Sequence, residues 1–128
     1  MRSLVVAAVV VAVFAGCAQI KAPTDAEAAA ADYGAFPSDF EAVVRRFNAG
    51  RLKDPGSAQY TGWTEPQTYW FGTRDTSTYG YLVCVALNAK NAYGGYTGFR
   101  TDGYLLRGGS VVRFFERGQY GASGRVCP

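Results

Sequence analysis

Residues Thr78-Tyr-Gly-Tyr-Leu-Val-Cys-Val-Ala-Leu87, TYGYLVCVAL, decide the fold of this chain. In an extended backbone Tyr79, Tyr81, Val83, Val85 and Leu87 point to one side and Leu82, Cys84 and Ala86 to the other, because successive side chains of a strand alternate between faces. Both sides are apolar. A strand with two apolar faces must be covered above and below, which places it centrally in its sheet.

Upstream, Pro37-Ser-Asp-Phe-Glu-Ala-Val-Val-Arg-Arg-Phe-Asn-Ala-Gly50 supplies one of those covers. Phe40, Val43, Val44 and Phe47 recur at i, i+3, i+4 and i+7, the spacing of one helix face. Ser38 and Glu41 have capping-box spacing, and Arg45, Arg46 and Asn48 are assigned to the opposite, solvated side. Gly50 or the Asp54-Pro55-Gly56 turn ends the helix. Further strands are predicted over residues 57–63, 67–72, 95–107 and 110–117, where β-branched and aromatic residues alternate between glycine-rich turns. Gly108-Gly109 supplies the positive φ angles of a two-residue hairpin loop. The expected class is α+β: one N-terminal amphipathic helix packed on an antiparallel sheet of about five strands.

The chain starts MRSLVVAAVVVAVFAGC, with one cation at Arg2 and an apolar run from Leu4 to Phe14. The run falls short of the roughly 18–20 residues that a membrane-spanning helix needs, so it reads as the core of an export signal. Phe14-Ala15-Gly16-Cys17 resembles the lipobox cut by bacterial signal peptidase II, with Phe14 where leucine is usual. That resemblance implies a lipidated Cys17 as the new N-terminus and membrane attachment through the acyl chains. By resemblance to enterobacterial sorting, Ala18 after the cysteine favours the outer membrane over the inner, with the domain in the periplasm. An ordinary signal peptide that leaves Cys17 as a spare thiol is the alternative. The expected organisation is a signal peptide over 1–16, a lipidated cysteine and flexible tether over 17–36, and a single domain over 37–128. Thr24 is positioned to cap a short helix through Asp25 to Asp32, although a helix of that length is marginal alone.

Removing Cys17 from the three cysteines leaves the pair Cys84 and Cys127, which an exported domain can oxidise. The alternative is two buried thiols that never meet. Arg2 leaves with the signal, so the 13 Lys and Arg fall by one against 10 Asp and Glu. No run of like charge suggests a nucleic-acid partner. Histidine is absent, which excludes His-dependent triads, Cys-His dyads and imidazole metal sites. No metal and no cofactor is expected. Asp54, Glu65, Asp75, Asp102 and Glu116 are scattered and read as surface or turn carboxylates. Trp63, Tyr69, Trp70 and Phe71 read as core or contact aromatics, with a sugar-stacking face as the alternative.

Two stretches remain: Leu52-Lys-Asp-Pro-Gly-Ser-Ala-Gln-Tyr60 and Val83-Cys-Val-Ala-Leu-Asn-Ala-Lys-Asn-Ala-Tyr-Gly-Gly-Tyr-Thr-Gly-Phe99. Together they resemble a family of small exported proteobacterial proteins with LKDPxSAxY and CxxxNAKNxYGGYTGF patterns and no settled activity. The resemblance spans residues 40–113. Val85 follows Cys84 where that family commonly has glycine, a difference in local packing. Within NAKNAYGGYTGF, turn chemistry accounts for Asn88, Asn91, Gly94 and Gly95 as a connection between two strands. A binding reading uses Asn88, Lys90 and Asn91 as polar groups beside Tyr93, Tyr96 and Phe99. No phosphate loop is present, because Lys90 precedes the glycines and no helix follows. The expected function is a non-enzymatic envelope lipoprotein whose domain binds or scaffolds an envelope protein or glycan. A cell-wall glycan hydrolase, or an inhibitor of one, is the alternative; it requires two acidic groups within about 10 Å in a cleft.

Overall fold

A computed structural model describes residues 21–121 and 124–128. The expected signal peptide, Cys17 and the first tether residues lie outside the described residues. Helix α1 (Asp25–Ala30) and helix α2 (Phe40–Ala49) precede β1 (Gln59–Thr61), β2 (Gln67–Phe71), β3 (Thr78–Asn88), β4 (Arg100–Arg107) and β5 (Ser110–Phe115). A small ladder of β6 (Tyr120–Gly121) and β7 (Gly124–Arg125) follows. The class is α+β, with a five-stranded antiparallel sheet.

Strand β3 is central, as its two apolar faces require. On one side it pairs with β4 along its length, Tyr81 opposite Leu106 and Leu87 opposite Arg100. On the other side it pairs with two short strands placed end to end: β2 runs along residues 78–82 and β1 along residues 86–88. Between them Thr64 keeps the ladder satisfied, its N–H donating to Cys84 O at 2.9 Å and its hydroxyl oxygen accepting from Cys84 N–H at 2.8 Å. The hairpin from β4 to β5 turns on Gly108 and Gly109, whose φ angles of 60° and 77° suit a tight primed turn. A register shift opposite Leu105 and Leu106 leaves Val112 as the extra residue of a bulge, which explains why this valine is exposed.

The two faces of the sheet are covered differently. On one, Val83, Val85, Tyr104 and Leu106 pack under Val43 and Val44 of α2, with Phe40, Phe47, Tyr60, Trp63 and Phe114 closing the sides. The helical period was therefore a sound guide to the buried stripe. Two local expectations fail. Ser38 is not the cap: α2 starts at Phe40 after Asp39, and neither residue caps it through its side chain, because the backbone itself turns there through Ser38 N–H to Phe36 O and Phe40 N–H to Pro37 O. Asn48 is not on the solvated side but fully buried. It stands one turn beyond Val44 and so shares that face, where its amide bonds the Tyr104 and Tyr60 hydroxyls.

On the opposite face Cys84, Leu105 and Phe115 are covered by Val126 and Cys127, with Tyr69, Phe71 and Leu82 alongside. Cys84 and Cys127 form a disulfide, closing a loop of 43 residues. Gly103, paired with Cys84 across the strands, makes room for it: a Cβ there would stand 2.8 Å from Cys127 Sγ. Trp63, Tyr69, Trp70 and Phe71 do not act as one cluster. Trp63 stacks on Tyr60 at 5.4 Å on the helix face, whereas Tyr69 and Phe71 meet Phe115 on the disulfide face.

Residues 21–36 differ from a free tether. Thr24 and Glu27 form a reciprocal capping box that starts α1. Beyond it, Tyr33 packs edge-on against Tyr79 and Phe36 against Tyr81. Arg107 holds the chain by donating to Asp32 O and Oδ2, and Arg74 pairs with Glu27. Tyr79 and Tyr81 need a cover that α2 is too short to provide, and this segment supplies it. No helix of the described residues is long and apolar enough to cross a membrane.

Candidate binding surface: the 88–99 loop and an arginine-lined cleft

The loop joining β3 to β4 is folded by its asparagines. Asn91 Oδ1 accepts from the N–H of Tyr93 at 2.9 Å and of Gly95 at 3.1 Å, and Asn91 N–H donates to Gly95 O at 2.8 Å. Asn88 Oδ1 accepts from Gly98 N–H at 3.0 Å. Gly94 and Gly98 take the left-handed conformation, with φ of 80° and 97°; Gly95, expected to share that role, does not. The turn reading thus accounts for both amides and for Gly94, while Gly98 takes the place it gave to Gly95.

The remaining candidates divide. Lys90 N–H donates to Ser57 Oγ at 3.0 Å, and the Tyr96 hydroxyl donates to Ser57 O at 3.0 Å. The Lys90 ammonium lies over the Tyr96 ring at 5.5 Å. These bonds dock the loop on the Pro55–Ser57 turn, so the two sequence patterns quoted above form one structural unit. Tyr93 is 97% exposed and Phe99 55% exposed. They are the two aromatics of the motif whose side chains make no recorded hydrogen bond or ring contact among the described residues. The six candidates therefore do not converge on one pocket: four build the loop and two are displayed by it.

Phe99 instead borders a cleft of about 550 Å³ lined also by Thr97, Gly98, Arg100, Thr101, Arg117, Arg125 and Pro128. Bonded to Arg100 and Arg117 of its lining is Asp102, expected as a surface charge and found fully buried. The alternation of β4 explains the burial: Asp102 shares the helix-facing side with Tyr104 and Leu106. Its Oδ2 is 3.4 Å from Arg100 Nε and 3.6 Å from Arg51 Nη2, and its Oδ1 accepts from Arg117 N–H at 2.8 Å. Arg51 in turn donates to Asn48 Oδ1, and its guanidinium lies over the Phe114 ring at 4.4 Å. Asn48 and Tyr104 complete the network, in which burial pushes the Tyr104 hydroxyl up to about 12.

Sequence reading did not find Asp102, Arg100, Arg117 or Arg125. Period two along β4 was the available signal for Asp102, since a carboxylate among Tyr104 and Leu106 must be buried. Nothing local marks Arg117 and Arg125: Arg117 reaches this cleft through the turn after β5, where its N–H bonds Asp102, and Arg125 through the last segment, which the disulfide holds against the sheet.

A second cleft, lined by Glu27, Asp32, Ser77, Thr78, Tyr79 and Arg107, does contain two carboxylates. Both are held below the usual carboxylate range: Glu27 first by the Thr24 N–H and then by Arg74, Asp32 first by the Gly34 N–H and then by Arg107. A glycosidase general acid needs the opposite shift, so this pair does not supply one. Comparison of the chain with protein-family models, with curated proteins and with solved structures finds no match.

Proposed function

We propose that this chain is a non-enzymatic lipoprotein of the bacterial envelope, anchored through Cys17, whose disulfide-closed domain binds an envelope partner through the tip of its 88–99 loop. The observation that carries the reading is the exposure of Tyr93 and Phe99 on a loop whose amides are already committed to its own folding. A displayed tyrosine supplies contact area at low entropic cost, and residues with no part in the core are free to serve association. The export signal and lipobox resemblance support the address, and the disulfide is consistent with an oxidising compartment.

Two measurements test it. Cys17→Ser is expected to abolish incorporation of labelled palmitate; equal labelling of the variant overturns the anchor. A photo-crosslinking residue at position 92 is expected to capture a discrete envelope component that the same probe no longer recovers when Tyr93→Ala is added, with the melting temperature unchanged. Loss of recovery only in variants that also unfold reduces the loop to a connection between strands.

A further inference from the structure

We propose that the cleft beside Phe99 is a binding site for a phosphoryl group, read by Arg100, Arg117 and Arg125. The inference does not depend on the envelope address or on the loop tip. Three guanidinium-bearing residues line one cleft of about 550 Å³, within the range of small-ligand sites, and no Asp or Glu side chain is among its lining residues. Two of the three are tied to one buried carboxylate, Arg100 by its side chain and Arg117 by its backbone. The buried Asp102 carboxylate takes the Nε of Arg100 through one oxygen and the backbone N–H of Arg117 through the other. That fixes the Arg100 fork by its inner nitrogen while the side chain remains 26% exposed.

Arg117 is the one residue other than glycine with positive φ among the described residues, at 54°. A left-handed arginine persists only where the surroundings over-determine it, and such residues concentrate at ligand sites. The backbone bond to Asp102 is the restraint, and its effect is to set Arg117 on the cleft wall. Asp102 does not neutralise the cleft, because it is shared between Arg51 and Arg100. Set against Asp102, Glu116 of the adjoining depression and a carboxylate at Pro128, the four cations Arg51, Arg100, Arg117 and Arg125 leave a net excess of one positive charge.

Phosphoryl oxygens suit this arrangement better than a carboxylate. Arginine forks bind both anions, but a phosphate monoester offers three free oxygens to the three arginines that line the cleft where a carboxylate offers two. The Thr101 side chain and the exposed Phe99 ring supply a polar and an apolar neighbour for whatever the phosphate is attached to. The phosphodiester of a lipid headgroup keeps two free oxygens on the same tetrahedral phosphorus and binds the same forks, with one oxygen fewer than the monoester.

The test is an NMR titration of the full chain in detergent micelles at constant ionic strength. The probes are inorganic phosphate, glycerol 3-phosphate and glycerophosphoglycerol, with chloride as the control. The expected result is saturable shifts confined to the amides of residues 97–101, 117 and 125. Arg117→Gln and Arg125→Gln should each weaken binding at least tenfold at an unchanged melting temperature, because the Asp102 bond to residue 117 is a backbone bond and survives. Tighter binding of glycerol 3-phosphate assigns a soluble monoester, and tighter binding of glycerophosphoglycerol assigns a lipid headgroup. Shifts that chloride reproduces, or that persist undiminished in Arg117→Gln, overturn the site.

Discussion

Reduction of the Cys84–Cys127 bond is the perturbation whose size follows most directly from the structure. The bond closes a loop of 43 residues, so breaking it returns loop-closure entropy to the unfolded chain worth about 4 kcal/mol. A second loss is local. Val126 and Cys127 cover Leu105 and Phe115, and among the described residues the backbone of their segment is attached through the β6–β7 ladder and a bond from Val126 N–H to Gln119 O. A domain of this size has only about 5–15 kcal/mol in total, so 4 is a large share. At roughly 4–8 °C per kcal/mol, the melting temperature should fall by roughly 15–30 °C. The assay is thermal unfolding followed by circular dichroism, with and without a phosphine reductant, on the full chain. Dye binding to the uncovered disulfide face should rise before the main transition. A fall of less than about 5 °C, or two free thiols titrating in denaturant without reductant, would refute the reasoning.

The remaining predictions concern the loop and the buried network. Gly94→Val should cost about 2 kcal/mol through its left-handed φ alone, since nothing lies within 4 Å of the added Cβ, whereas Gly95→Ala and Lys90→Ala should each stay within about 0.5 kcal/mol in urea unfolding. Equal effects at positions 94 and 95 would contradict the dihedral argument. Asp102→Asn should destabilise by about 3 kcal/mol, because it leaves Arg51 and Arg100 without their carboxylate in a half-buried setting; a change under 1 kcal/mol would mean that solvent screens the arginines. Tyr104 holds its proton more tightly folded, near 12, than unfolded, near 10. Its contribution is therefore complete below about pH 10 and lost as pH rises towards 12, a total of about 2–3 kcal/mol. Tyr104→Phe should flatten that alkaline decline relative to the parent, and parallel pH curves would count against the buried hydroxyl.

Much of this fold is legible because its signals are periodic. Phe40, Val43, Val44 and Phe47 repeat with the helix, and Tyr79 to Leu87 alternate with the strand, so a single stretch suffices to read each face. The paired glycines 108 and 109 mark their hairpin for the same local reason, a backbone that other residues resist. What escapes is whatever depends on distant chain meeting. That one side of β3 is shared by two short strands depends on how Thr64 fits opposite Cys84, which no window of sequence contains. Asn48 and Asp102 escape for a different reason: residue type was weighed above position, although both lie in step with apolar neighbours. The arginine cleft combines both difficulties, because its members come from the start of β4, the turn after β5 and the segment held by the disulfide.

The docking of residues 21–36 on the sheet also sets a distance. Arg74 N–H binds Lys21 O at 2.7 Å, which ties the chain to the domain at a point four peptide links after Cys17. Fully extended, those links span at most roughly 14 Å. A lipid on Cys17 would then hold the domain almost against the bilayer, close enough to sense headgroups but not the far side of the periplasm. Undocking the segment as far as Phe36 would let the same anchor reach nearly 70 Å. Among the described residues, the ion pairs that separate the two lengths are those of Arg74 and Arg107 with Glu27 and Asp32. Both pairs are partly exposed, so salt would weaken them and leave the Tyr33 and Phe36 contacts to hold the segment; for a chain anchored at Cys17, ionic strength would then bias its reach.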